Sequence, residues 1–331
     1  MFDLPLLDKI LNCIMAKKKK YLLGDKLNCI ITPAILLIFS IVISTKQQIG
    51  SPINCVAPQE FNGWVNYVEN VCFLGNVYHF STDQYLPLNM TQRNEKSFGY
   101  YSWIPFMLLL QAILFHYPII LWELTTNKTV INLQQISQES GITNPEIKCL
   151  RRSRIYYTTI YFAIRILYII NICTQFYILT KFFKFNYLLW GYTLLVRENI
   201  DYFPYINYCD FYMRTIDNSI QTYSVQCFFS INLLNKFIFI FIWIWFIFLY
   251  VVNLYSILHL GIKFTYRYRM NILKKYFKGR HTRKFACNFI SADLFLLFLF
   301  VEHNENFLYC NNFCRNLYTL YENSQFNSDI V

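Results

Sequence analysis

The residues of this chain most able to form covalent structure are four cysteines: Cys55, Cys72, Cys209 and Cys227. They fall two to each of two polar stretches, 46–99 and 180–236. The other seven (Cys13, Cys29, Cys149, Cys173, Cys287, Cys310 and Cys314) fall in apolar or basic segments. An even set confined to the oxidising side of a membrane is what a disulfide framework requires. Four cysteines permit three connectivities, and spacing does not choose among them. Cys310 and Cys314 form a second pair, with His303 seven residues before the first. A zinc site there lacks a fourth ligand in place, so inert buried thiols are the default reading. The five histidines are scattered, and no Gly-rich phosphate loop, GxSxG elbow, HExxH or CxxC pair is present. The chain reads as no enzyme, with no cofactor and no metal.

Three other features carry charge or modification chemistry. Arg165 sits inside an apolar run, where a cation at the bilayer centre costs about 2.5–3.5 kcal/mol on insertion scales. It reads either as a pore-lining or gating charge or as an interior arginine paired with Asn, Gln or backbone groups of neighbouring helices, the second being preferred. Asn89-Met90-Thr91 is a glycosylation sequon in the first polar stretch; Asn127-Lys128-Thr129 matches too but falls on the opposite side of the membrane. The run Lys17 to Lys20 suits anionic lipid headgroups, each lysine contributing about 1 kcal/mol near such a surface.

The elements that must position these residues are membrane spans. Of the 331 residues, 15% are charged and 55% hydrophobic, whereas a soluble domain carries about a quarter charged. Apolar runs long enough for a core about 30 Å thick cover 27–45, 100–122, 155–179 and 237–258. Trp103 and Trp122 bracket the second run, about 28 Å of helix apart, as interfacial anchors. Segments 1–26, 123–154 and 259–331 together hold 21 Lys and Arg, against eight in 46–99 and 180–236. The positive-inside rule then makes both termini and the middle loop cytoplasmic. That asymmetry accounts for the net charge of +11 without a nucleic-acid partner. The expected class is an all-α membrane protein with four transmembrane helices, disulfide-linked extracellular loops and a helical cytoplasmic domain. Segment 1–16 reads as an amphipathic helix rather than a cleavable signal peptide, and Phe295 to Val301 is too short to cross.

On these spans the sequence resembles the innexins, invertebrate gap-junction proteins related to pannexins. The resemblance rests on YYSWIPFMLLLQAILFHYP at Tyr100 to Pro118 and on FPYINYCDFYMR…YSVQCFFSINLLNKFIFIFIWIW from Phe203 to Trp245. SPINCVAPQEF…WVNYVENVCF in the first loop, GDKLN at Gly24 to Asn28 and DLFLLFLFVEHNENF from Asp293 extend it along nearly the whole chain. Two cysteines per loop argue against connexins, whose loops carry three. The chain departs from the family pattern at Lys236, where an acid is usual, at Val56, where Trp is usual, and in QQIG at Gln47 to Gly50. The resemblance implies a subunit of a gap-junction channel at the plasma membrane, in a homo-oligomeric or mixed ring of eight docking to an opposing hemichannel. An undocked hemichannel or a non-conducting four-span scaffold are the alternatives. It also implies the pairing Cys55–Cys227 and Cys72–Cys209, and an N-terminal helix in the pore mouth, where Asp3 and Asp8 would form rings of negative charge.

Overall fold

The computed structural model describes residues 23–127, 154–276, 285 and 289–326, apart from 57–62, 76, 81–86, 88, 90, 91, 94–96, 186–188, 197–201, 215–217, 305 and 306. Among the described residues, four helices are long and apolar enough to cross a membrane: α1 (Gly24–Gln48), α3 (Tyr101–Thr125), α4 (Tyr156–Phe182) and α6 (Ser230–Phe264). Each keeps large apolar side chains on its outside, among them Ile41, Phe106, Ile170 and Val251, as a lipid-facing helix must. The helices outrun the apolar stretches that announce them. With 35 residues, α6 is about 52 Å long, far more than the hydrocarbon slab requires.

The chain folds as two compact units. One comprises the described residues within 1–32, 115–171 and 249–331; the other comprises those within 33–114 and 172–248. In the first, α8 (Ala292–Asn304) is the centre of the core. Leu294 through Val301 are all buried, packed with Met270 and Leu273 of α7 (Tyr266–Tyr276) and with Phe313, Cys314 and Leu317 of α9 (Phe307–Phe326). The apolar run too short to span is thus spent on packing. Asp293, fully buried, ties α8 to the start of α4: the Thr158 amide and hydroxyl both donate to its Oδ1 at 2.8 Å. That satisfies a donor otherwise orphaned at a helix start.

Residues 27–31 of α1 form a π-helical turn, so the Thr32 amide and hydroxyl both bond to the Leu27 carbonyl. Pro33 follows and has no N–H for the Cys29 carbonyl. His116 Nδ1 takes that acceptor at 3.0 Å, which requires the proton on Nδ1. Asn28 and Asn253, both buried, exchange side-chain hydrogen bonds of 2.9 and 3.1 Å between α1 and α6.

The second unit holds what the helical class did not anticipate, a five-stranded antiparallel sheet in the order β1-β5-β4-β2-β3. Its strands are β1 (Asn54–Val56), β2 (Val77–Tyr78), β3 (Ser97–Phe98), β4 (Ile206–Arg214) and β5 (Ile220–Phe228). The first loop supplies β1, β2 and β3 and the second β4 and β5. The hairpin of one loop therefore lies between strands of the other. Helix α2 (Val65–Leu74) covers one face, burying Val68 and Cys72, four residues apart, against it. A short helix, α5 (Trp190–Val196), places Gly191 where a Cβ would lie 2.2 Å from the Trp243 ring, so only glycine fits.

Candidate functional site

Strand alternation puts Asn207, Cys209 and Phe211 of β4 on one face with Val225 and Cys227 of β5, all of them buried. Cys55 lies directly opposite Cys227 in the β1–β5 ladder, and the two are bridged, with Cα atoms 4.0 Å apart. The Cys55 amide donates to Glu69 Oε1 at 3.1 Å instead of to β5, as a close, non-hydrogen-bonded pair permits. Cys72, on the buried side of α2, is bridged to Cys209 at a Cα separation of 5.7 Å. The bridges adjoin: the sulfurs of Cys55, Cys72 and Cys227 all lie within 4.8 Å of one another. Bridged sulfurs offer no thiolate to a metal. What the cluster does is fasten β1 and α2 of the first loop to the hairpin of the second.

The opposite face carries a polar counterpart. Arg93 Nη1 donates to both carboxylate oxygens of Asp210 at 3.1 Å, and Arg93 Nε donates to the Pro87 carbonyl at 2.6 Å. The Tyr78 and Ser224 hydroxyls add donors to Asp210 Oδ1 at 2.7 and 2.5 Å. Burial and the Asp210 carboxylate push the Tyr78 phenol up, which keeps it protonated as a donor. Arg93 and Asp210 come from different loops, so this cluster doubles the cross-link. Asp210→Asn is expected to lower unfolding stability by about 2 kcal/mol, because it strands the Arg93 charge at a nearly buried site. Adding Arg93→Gln should cost less than the sum of the single changes. Thermal unfolding of the purified protein checks both.

Among the remaining predicted residues, Arg165 is 3% exposed in the first unit, and its Nη2 meets Asp25 Oδ2 at 3.0 Å and the Tyr161 hydroxyl. The guanidinium stacks 4.9 Å from the Tyr161 ring centroid. Its partner is thus an acid rather than Asn, Gln or backbone. That acid belongs to α1 itself, not to a polar approach before it. Asn89 is exposed, while Thr91 of its sequon lies outside the described residues, as do Asp3 and Asp8. Cys310 and Cys314 are buried, unbridged and in hydrogen-bond contact, one turn apart on α9. Contact with Cys314 draws the Cys310 thiol down, and contact with Cys310 pushes the Cys314 thiol up.

A four-span chain with two bridged loops is a pattern several families share; the comparison with known families decides among them. The innexin family model matches residues 23–321. This chain belongs to the innexin family. It is 29% identical to Innexin unc-9 of Caenorhabditis elegans, over 88% of this chain and 92% of that relative. It is 27% identical to Innexin-3 of the same organism, over 99% of this chain and 90% of that relative. The protein is a multi-pass membrane protein of that family. Within this innexin, the residues that sequence reasoning missed are Arg93, Asp210, Tyr78, Ser224 and Asp25. Only the period-two alternation of 206–214 and 220–228 carried a usable signal, since it marks Asp210 and Ser224 as sharing a face across two strands.

Proposed function

We propose that this innexin is a subunit of an oligomeric gap-junction channel that passes ions and small molecules between adjacent cells. Both termini and residues 123–154 lie in the cytoplasm, and the two bridged loops face the opposing cell. The observation that carries this reading is the loop platform: a sheet interleaved from two loops, bridged twice on one face and ion-paired across the other. Docking two rings end to end favours a surface already rigid, since ordering mobile loops at contact costs entropy. A scaffold that only recruits partners has no such requirement at its membrane-distal face. A single chain cannot enclose a wide lumen, so identical copies close a ring through heterologous contacts. Family likeness favours eight copies, alone or mixed with relatives. Asp3 and Asp8 are the candidate charges at the cytoplasmic mouth, where ring symmetry multiplies each into a band of charge that favours cations. Arg165, buried against Asp25, is assigned an internal role rather than a lumen-lining one.

The exposure of Asn89 favours a second reading, an undocked hemichannel, since a glycan on the loop platform would obstruct an opposing ring. One experiment separates the two. Paired communication-deficient cells expressing the chain are expected to show junctional current and dye transfer. Dye uptake into single cells without transfer between pairs would establish the hemichannel, and neither uptake nor transfer would leave a non-conducting scaffold. Asn89→Gln is expected to raise the transfer only if the residue is glycosylated, which a mobility shift on deglycosylation reads independently.

A further inference from the structure

In the first unit, α4, α6 and α8 line a partly open cavity of about 240 Å³. Its polar lining includes Arg165, Ser256, His259, Lys263 and His303, with the Tyr161 hydroxyl and the Glu302 carboxylate beside them, over an apolar wall that includes Leu296 and Phe300. Arg165 is the informative member. Its Nη2 is engaged by Asp25 and Tyr161, yet Nε and Nη1 of this buried guanidinium meet no acceptor among the described residues. Gly24 makes room for it: a Cβ there would lie 2.9 Å from Nη1. Nε–H and Nη1–H lie on different edges of the planar guanidinium, so each can offer an oxyanion a single donor, and a lysine beside it adds a point charge.

Among the described residues, cations outnumber acids around the site by one. The acids at this site are Asp25, which accepts from Arg165, and Glu302, whose Oε1 accepts from the Tyr276 hydroxyl at 3.2 Å. Against them stand the cations Arg165 and Lys263, with Lys26 near enough to act on His303. Burial, then repulsion from Lys26 and Lys263, holds His303 below its ordinary range. A field that resists one more proton is one that an anion would relieve.

We propose that this cavity binds a phosphate-bearing anion, its oxygens held by a free donor of Arg165 together with Lys263 and His303. The apolar wall and the position at the end of a span suit the phosphorylated headgroup of an anionic lipid; a soluble phosphate ester offers the same chemistry. The test uses the full-length protein in phosphatidylcholine nanodiscs. One arm adds phosphatidylinositol bisphosphate to the bilayer; the other adds inositol trisphosphate to the solution. Bound ligand is counted by native mass spectrometry and thermal shift. Saturable binding is expected, weakened at least about tenfold in Lys263→Gln/His303→Gln and unchanged in Lys274→Gln, an exposed lysine of α7 outside the cavity. Binding in the lipid arm alone assigns a headgroup, binding in the soluble arm alone assigns a free phosphate ester, and binding in both assigns the shared group. If the double variant fails to assemble, His303→Gln alone, at an exposed position, is expected to show a smaller weakening. No binding in either arm overturns the proposal, as does equal binding by wild type and cavity variant, or equal weakening by Lys274→Gln.

Discussion

Cells paired through a Cys55→Ala or a Cys209→Ala variant are expected to carry no junctional current, although the protein reaches the membrane with its spans in place. The bridge from Cys55 is what holds β1, a strand of only three residues, against β5. Three residues of ladder are too few to hold a strand alone in water. A disulfide typically contributes about 2–4 kcal/mol by restricting the unfolded chain. Here the bilayer already restricts that chain, so the loss falls less on global stability than on the order of the loops. The single variants should also differ in their covalent state. Cys55→Ala leaves the Cys227 thiol, and Cys209→Ala leaves the Cys72 thiol, each within 4.8 Å of a sulfur of the surviving bridge. Thiolate attack on that bridge follows, giving mixed pairings. Cys72→Ala instead leaves Cys209, which is not in the three-sulfur cluster, so exchange should be slower. Non-reducing electrophoresis with peptide mapping reads the pairings, and dual-cell recording reads the current. Normal coupling through any of these variants would remove the rigid loops from the docking argument.

How much of this was legible in the sequence depends on the range of the interaction. The four spans follow from local apolar runs, because each must be long enough to cross hydrocarbon whatever its neighbours do. Their ends did not follow. Asp25 interrupts the apolar window before residue 27, yet the helix continues through it because Arg165, 140 positions away, neutralises it. The strands β4 and β5 were readable from their alternation: Asn207, Cys209 and Phe211 inward, with Val225 and Cys227 answering. Their interleaving with β1 and β2 was not readable, since two-residue and three-residue strands have no periodicity to detect. Spacing alone left three disulfide connectivities open. What selects one is register: only a ladder with Cys55 opposite Cys227 brings those sulfurs together, and only α2 seated on the inner face aims Cys72 at Cys209.

The buried pair of α1 and α4 carries the second large expected effect. Asp25→Asn or Arg165→Gln alone should lower stability by about 3–5 kcal/mol, because each leaves an uncompensated charge among apolar neighbours. The two losses are not alike. Without Asp25, the guanidinium keeps only the Tyr161 hydroxyl and ring. Without Arg165, the carboxylate can take up a proton and shed its charge, so Arg165→Gln should be the milder change. The double variant Asp25→Asn/Arg165→Gln removes both charges and should recover much of the loss, with a coupling energy of about 0.5–3 kcal/mol. Assembly measured by size-exclusion chromatography and unfolding measured by thermal shift give the cycle. Ion selectivity of the recovered double variant then discriminates between two roles for Arg165. On the proposed internal role, a guanidinium neutralised by an acid 3.0 Å away adds nothing to the pore's field, so the reversal potential in asymmetric salt should match wild type. A shift toward cations would place Arg165 on the permeation path instead, and an additive cycle would deny that the pair holds α1 to α4.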